Sequence, residues 1–558
     1  MSTSFTPPGP GFWELDRSHY PGGTTPIIQA LSTESVEDAY RKEWPLLGVP
    51  AETLSLRFVN GFCYTRLRPL IAPDKPSKKA PPTFVLKIAS RLHPEFRRRR
   101  TAAAKSQEAS LSPDIIVQWH DEIRPRMVAA NLAAQDVDLE SLDDLALAGH
   151  IEERINQLRA TSEEHHRLHC YDLGPIGQLL LACRGWGIAG SEAVAMLAGA
   201  SPSTTGPRQA AAEINTLLSE AGATPTTLAA ARAASPEIND AIDAYLRRHG
   251  AVLYSGYDLD SPTLGEAPEV VLSTILGASV KDIAAAERQA GASAEAATGQ
   301  LRARVPMDDR PEFERLLADA RNAMDLRDDN GPITYEWPTG LLRLSMLEAG
   351  RRLASSGRLA DADHIFELDR TELPAVLRGG SVPSAESISA RAEERASFKQ
   401  LDPPLTLGDP EPAPPIDALP AELGAVVQMV EVVLQEMGMS DGTADPGGSG
   451  LAGTGIGTNL VVGRARVAET AEAAFDLIED GDILVTRVTS PAYNLVLSLV
   501  DGLVTSEGGP MSHAAVLSRE LGISAIVGAS SAMTAIGDGD QIEIDPSAGT
   551  VRVLSSQG

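Results

Sequence analysis

The sequence predicts a multidomain protein, with a mainly α-helical region followed by a smaller C-terminal α/β domain. Three observations carry this reading. The chain has 558 residues, more than one hydrophobic core supports. Between residues 84 and 400, apolar side chains recur at three- and four-residue spacing with almost no strand pattern. From residue 451 to the end, short apolar runs alternate with helical segments and turn residues, which is the pattern of a compact α/β unit.

The elements follow in order. The first 75 residues open on a Pro/Gly-rich stretch, and 54–66 reads as strand with Asn60-Gly61 as a hairpin turn. Helix patterns then occupy 128–147, 151–168, 176–183, 191–200 and 210–221, and again 237–248, 280–290 and 341–353. The stretch 245–266 interrupts them with Gly250, Gly256, Pro262 and Gly265. Seven prolines in 402–420 forbid regular structure there, and 425–437 is an amphipathic helix. Residues 440–450 are Gly, Ser and Asp-rich, a linker expected to span roughly 18 Å as a coil and about 36 Å fully extended.

The last region reads as strands at 460–467, 483–485, 503–504, 525–527, 541–544 and 551–554. Helices at 471–478, 493–499 and 513–521 lie between them. Gly453, Gly455 and Gly457 follow a linker and precede a strand, the wrong order for a dinucleotide loop, so they are assigned to the linker. The expected division is 1–75, 76–400, 401–450 and 451–558.

Composition narrows the function. Hydrophobic content is 43%, and no apolar run is long enough to span a bilayer or to serve as a signal peptide, so a cytoplasmic protein is expected. Cys63, Cys170 and Cys183 are too scattered for a metal cluster or a disulfide framework. A formal net charge of -28 argues against nucleic acid or an anionic membrane as partner. The arginine run at 97–100 reads either as an anion patch or as a solvated helix face.

The most informative stretch is 505–522, TSEGGPMSHAAVLSRELG. A strand end is followed by a Gly-Gly-Pro turn, and a helix pattern starts at Ser512 or His513 and stops at Gly522. The imidazole thereby sits in the first turn of a helix, where unsatisfied N–H groups and the dipole favour an anion. Such a histidine can carry a phosphoryl group or simply cap a helix.

Thr505, Gly508-Gly509, the run from Ser512 to Ala515, Arg519-Glu520 and Leu521-Gly522-Ile523 together decide between these. They resemble the phosphohistidine signature of the swivelling domain in phosphoenolpyruvate-utilising enzymes. That family includes pyruvate phosphate dikinase, phosphoenolpyruvate synthase, rifampin phosphotransferase and phenylphosphate synthase. Ser524 departs from the family's usual proline. The resemblance implies that the C-terminal α/β domain is a swivelling phosphohistidine domain with His513 as carrier. It also implies that Arg519, Thr505 and Ser512 contact the phosphoryl group and that Gly508 and Gly509 line its site. Residues 490–493 resemble the family's loop beside that histidine, although they read equally well as a Pro-started helix.

In layout the chain resembles the acceptor and phosphohistidine subunit of phenylphosphate synthase and of the p-cresol phosphorylating enzymes, and also the last two domains of rifampin phosphotransferase. This implies ATP and Mg²⁺ bound on a separate ATP-grasp partner subunit, and a small phenolic or alcohol substrate. A split antibiotic phosphotransferase of the rifamycin type and a non-catalytic phosphohistidine regulator are the alternatives.

For the acceptor side, a base near the attacking hydroxyl is needed. His165, His166, His169 and Asp172 cluster where one helix pattern ends, and His249 and Asp258 fall in the irregular stretch. His165 and His169, four apart, could also be a metal pair, though no further ligand is near in sequence. By resemblance Arg343 matches a cation near the transferred group. An apolar cavity within 84–400, lined by His166, His169 or His249, is expected.

Overall fold

The computed structural model describes residues 4–16, 19–20, 22–71, 73–75, 83–108, 113–254, 256–380, 383–412, 415–438, 451–479, 481–489, 493–497 and 499–556. The expected linker at 440–450 and residues 490–492 lie outside them. By contacts the chain forms two compact units. One holds residues 1–171, 257–261 and 330–428; the other holds 172–256, 262–329 and 429–558. The sequential division expected from composition is therefore not how the chain segregates, because the helical stretch contributes to both units.

The first unit combines helices with a four-stranded antiparallel sheet. β1 (Trp13–Leu15), β2 (Ala51–Val59), β3 (Phe62–Pro69) and β4 (Thr406–Leu407) lie in the order β2-β3-β1-β4. The β2–β3 hairpin closes on Asn60 and Gly61, with φ of 50 and 72°. Both are left-handed, as the two-residue turn read from the sequence demands. Helix Pro26–Leu47 escaped that reading because its buried face mixes Ile27, Ile28, Leu31 and Val36 with Ser32 and Ser35. These apolar residues join Ile151, Leu158, Leu342, Met346 and Phe366 in one core.

Helix Trp337–Ser355 is buried on nearly all sides, and Pro332–Glu336 before it is a π-helical turn. The arginine run belongs to helix Pro94–Glu108, with Arg97, Arg98 and Arg100 exposed and Arg99 buried. Arg98 and Arg99 bond Glu95, Arg99 also bonds the Val49 and Ala51 carbonyls, and Arg100 pairs with Glu422. Helix Asp144–Gly185 runs unbroken where the sequence suggested two helices. Pro175 removes one N–H there, a loss that packing of the flanking Leu168 and Ile176 outweighs.

The second unit holds two helical cores and the C-terminal α/β layers. Ile214, Leu218, Ile238, Ile242, Val271 and Ile275 form one helical core; Ile176, Leu180, Phe313, Leu317 and Val432 form the other. Seven strands make a mixed sheet: β5 (Thr454–Ile456), β6 (Val461–Val467), β7 (Ile483–Thr486), β8 (Gly502–Thr505), β9 (Ser524–Val527), β10 (Gln541–Asp545) and β11 (Thr550–Ser555). Their order is β11-β10-β6-β7-β8-β9-β5. β6 to β9 are parallel, and β10, β11 and β5 add antiparallel edges.

All four residues of β7, β8 and β9 are buried, as a parallel sheet covered on both faces requires. β5 corrects the linker assignment of the glycine triplet. It pairs with β9, and a β-carbon on Gly455 would stand 1.8 Å from the Pro546 carbonyl. The glycine spacing there reflects close backbone approach. Among the described residues, no helix is long and apolar enough to cross a membrane.

Candidate functional site

The central parallel strand β8 delivers the chain into the turn at 506–512 and then into helix His513–Leu521. Ser512 starts this helix as its N-cap, with its side chain accepting from the Ala515 N–H at 3.4 Å. Gly522 ends it in the left-handed region, at φ 70°. Ala514, Ala515, Leu517 and Leu521 bury one face against the sheet, which leaves His513 half-buried in the first turn. Within this turn the Met511 N–H donates to the Glu436 carbonyl at 2.7 Å. Gly509 is required by the same approach, because a β-carbon there would lie 2.5 Å from the Glu436 oxygen.

His513 Nδ1 and the Thr489 hydroxyl are hydrogen-bonded at 2.9 Å. Desolvation, and then the positive charge of Arg327, push the imidazole down to about 3. At neutral pH the ring is uncharged, the form that can attack phosphorus. Arg327 was not singled out in the sequence, since it lies 186 positions before His513 with no local motif around it. Its Nη2 donates to the Met511 carbonyl at 3.0 Å, which brings the guanidinium beside the histidine turn. Its Nη1 is enclosed and has no hydrogen-bond partner among the described residues. A buried guanidinium N–H in that position is suited to a phosphoryl oxygen.

The other residues of the signature brace the turn. Arg519 Nη1 donates to the Pro510 carbonyl at 2.5 Å, and burial lowers the guanidinium to about 10. The Thr505 hydroxyl donates to the Glu507 carbonyl at 2.8 Å. Ser512 is the cap described above, and Gly508 has φ 106°, a conformation open to glycine. Arg327, Met511, Arg519 and Glu520 line a small crevice with Met324 and Val194 beside the histidine helix.

The acceptor-side candidates are divided between the two units. His165, His166, His169, Asp258 and Arg343 belong to the first unit, while Asp172 and His249 belong to the second. Asp258 accepts from the Thr25 N–H at 2.7 Å, the Thr25 hydroxyl and its neighbour Leu259 N–H, so it ties down the start of a helix. Arg343 donates to the Leu259 carbonyl at 2.7 Å and lies over the Phe366 ring at 5.2 Å. His166 Nδ1–H donates to the Ser162 carbonyl at 2.7 Å, and burial pushes this ring down to about 3.

His249 packs beside Tyr245, ring centres 5.0 Å apart, and burial pushes it down to about 4. Asp172 is fully buried. His165 and His169 touch through their Nε2 atoms at 3.1 Å. Among the described residues no third His, Cys, Asp or Glu joins them as a metal site.

Comparison with known proteins adds two segment matches, one within the second unit and one that lies in it except for residues 257–261. Residues 478–549 match the family described as the PEP-utilising enzyme mobile domain, and residues 207–328 match the rifampicin phosphotransferase fourth domain. A rifampicin phosphotransferase of a Streptomyces species is 30% identical over 336 residues, 57% of this chain and 35% of that protein. A chondramide synthase of Chondromyces crocatus is 31% identical over 329 residues, 56% of this chain and 8% of that protein. An uncharacterised phosphotransferase of Bacillus subtilis is 25% identical over 250 residues, 44% of this chain and 28% of that protein. The chain thus spans about a third or less of the length of these curated relatives.

Proposed function

We propose that the chain, whose residues 478–549 match the PEP-utilising enzyme mobile domain, is a phosphotransferase working through phospho-His513. The observation that supports this most is the pairing of a neutral, half-buried imidazole with the enclosed Arg327 Nη1 beside it. Thr489 is hydrogen-bonded to Nδ1, and a ring nitrogen of the neutral imidazole takes the phosphoryl group in this reading. Its lone pair attacks phosphorus as the P–O bond of the nucleotide breaks. The acceptor oxygen then attacks, the P–N bond breaks, and its electron pair returns to the ring. ATP is the donor in this reading: His513 takes the β-phosphoryl group as its bond to AMP breaks, and water takes the γ-phosphoryl group as the β–γ bond breaks, so AMP and phosphate are the other products.

ATP and Mg²⁺ are held by a separate ATP-grasp subunit in this reading. For the acceptor, a rifamycin-type hydroxyl is preferred to a simple phenol. Relatives named rifampicin phosphotransferase align over 57% of the chain, and one of its segments matches a rifampicin phosphotransferase domain. The test combines the chain, the candidate ATP-grasp protein, Mg²⁺ and ATP with rifampicin or with 4-methylphenol, and identifies phosphorylated product by mass spectrometry. Phosphorylated rifampicin that disappears with His513→Ala is the expected result. Product on 4-methylphenol alone would shift the acceptor to phenols, and product surviving His513→Ala would overturn the carrier role.

A further inference from the structure

One helix of the first unit presents its apolar side outward. In Thr83–Leu92, TFVLKIASRL, the side chains of Phe84, Ile88 and Leu92 recur every four positions, with Val85 beside them, and form one stripe. Phe84 is 66% exposed, Ile88 54%, Leu92 72% and Val85 42%, whereas the residue that this helix buries is Ser90. The helix packs on helix Pro94–Glu108 and on the turn Ile416–Ala418, neither of which covers the stripe. A single exposed leucine is ordinary, but four apolar side chains on one face of a short helix mark an interaction surface.

Charge singles out the same place. Residues 75–105 carry ten lysines and arginines and one acid, Glu95, in a chain whose formal net charge is -28. Arg98 and Arg99 are engaged by Glu95, and Arg100 by Glu422. Lys87 and Arg91 are exposed, one helical turn apart at the border of the apolar stripe, and neither forms an ion pair among the described residues. The same holds for Lys75 and Arg97. Residues 83–92 contain no acid.

The occupant follows from this combination. A second copy seated symmetrically on the stripe would bring Lys87 and Arg91 against their own counterparts. A lipid surface rich in phosphates has the opposite charge, and its fluid interior takes up a convex apolar stripe without a matching groove. The long stems of Lys87 and Arg91 let their charged ends stay at headgroup level while the stripe sinks deeper. The chain's overall negative charge opposes such an approach. At physiological ionic strength, however, exposed charges more than about 8 Å away are largely screened, so the local cations decide.

We propose that helix Thr83–Leu92 is a docking site for an anionic membrane surface. Phe84, Ile88 and Leu92 enter the boundary between headgroups and acyl chains, and Lys87 and Arg91 meet lipid phosphates. The proposal makes no use of His513 and is independent of the phosphotransferase reading.

Cosedimentation of the full chain compares vesicles of phosphatidylcholine alone with vesicles containing about 30% phosphatidylglycerol, at about 0.1 and about 0.5 M NaCl. Wild type is expected to bind the anionic vesicles roughly tenfold or more tighter than the neutral ones, and salt should weaken that binding. Ile88→Ser/Leu92→Ser and Lys87→Glu/Arg91→Glu should each weaken it by roughly tenfold or more. Met307→Ser, which alters an exposed side chain of the second unit, should leave it within about twofold of wild type. All the substituted positions are exposed, and unchanged urea unfolding curves separate lost binding from lost fold. Wild type that binds neither kind of vesicle, or both equally, overturns the proposal, as do double variants that bind like wild type. Sedimentation velocity of wild type and Ile88→Ser/Leu92→Ser supplies the remaining check. A stripe found to join two copies of the chain, or the chain to the candidate ATP-grasp protein, in place of vesicle binding also overturns it.

Discussion

Replacing His513 by Asn removes one titrating ring and leaves the helix start otherwise intact, and the consequence for stability can be worked out from the site. The folded ring is pushed from 6.5 down to about 3, first by desolvation and then by Arg327. A histidine lowered in this way subtracts stability as pH falls below its unfolded value, because the unfolded chain takes up a proton that the native chain refuses. At pH 5.5 this favours the unfolded chain by about 1.4 kcal/mol, and at pH 7.5 by only about 0.1 kcal/mol.

The result hardly depends on the folded value as long as it stays well below 5.5. Partial solvent access to the half-buried ring trims the expected difference to about 1 kcal/mol. Urea unfolding of wild type and His513→Asn at the two pH values measures it directly. The stability of wild type relative to the variant should drop by about 1 kcal/mol from pH 7.5 to 5.5. A relative stability that stays constant, or that rises on acidification, would refute the neutral, desolvated histidine.

Three further outcomes follow from the same geometry. Arg327→Met removes a charge that lowers His513, so the His513 NMR titration should move upward. Phosphoryl incorporation should fall roughly 10- to 100-fold, the worth of one charge-assisted hydrogen bond. Ser512→Ala deletes an N-cap whose bond is long at 3.4 Å, so urea unfolding should show a loss at the low end of the usual range, about 0.5–1 kcal/mol. Burial pushes Glu336 up to about 8, so the native chain holds a proton that the unfolded chain has released. Wild type should therefore lose up to about 3 kcal/mol relative to Glu336→Gln between pH 5.5 and 8, read from paired unfolding curves.

What the sequence disclosed depended on whether the signal was local. The His513–Leu521 helix was legible to its end residues, because its cap, its apolar face and its terminating glycine all lie within eleven positions. The Asn60-Gly61 hairpin and the alternating strands β6 to β11 were legible for the same reason. β5 was hidden because glycines that allow close backbone approach look like those of a linker.

Helix Pro26–Leu47 was hidden by the serines on its buried side, and the continuity of Asp144–Gly185 by Pro175. In the candidate site, the signature singled out His513 together with Arg519 and Thr505, and the structure turns the latter two to backbone carbonyls of the turn itself. Arg327 and Thr489 needed tertiary structure, since no spacing links them to the histidine.

The account turns on His513 taking a phosphoryl group, and one labelling experiment addresses that alone. The chain is incubated with Mg²⁺ and ATP labelled at the β or the γ phosphate, with and without the ATP-grasp partner. Acid-labile label is then mapped by mass spectrometry in wild type and in His513→Ala. The account predicts label from the β position on His513, only with the partner present, and none in the alanine variant. Label that persists in His513→Ala, or that maps to another of the ten histidines, would contradict it.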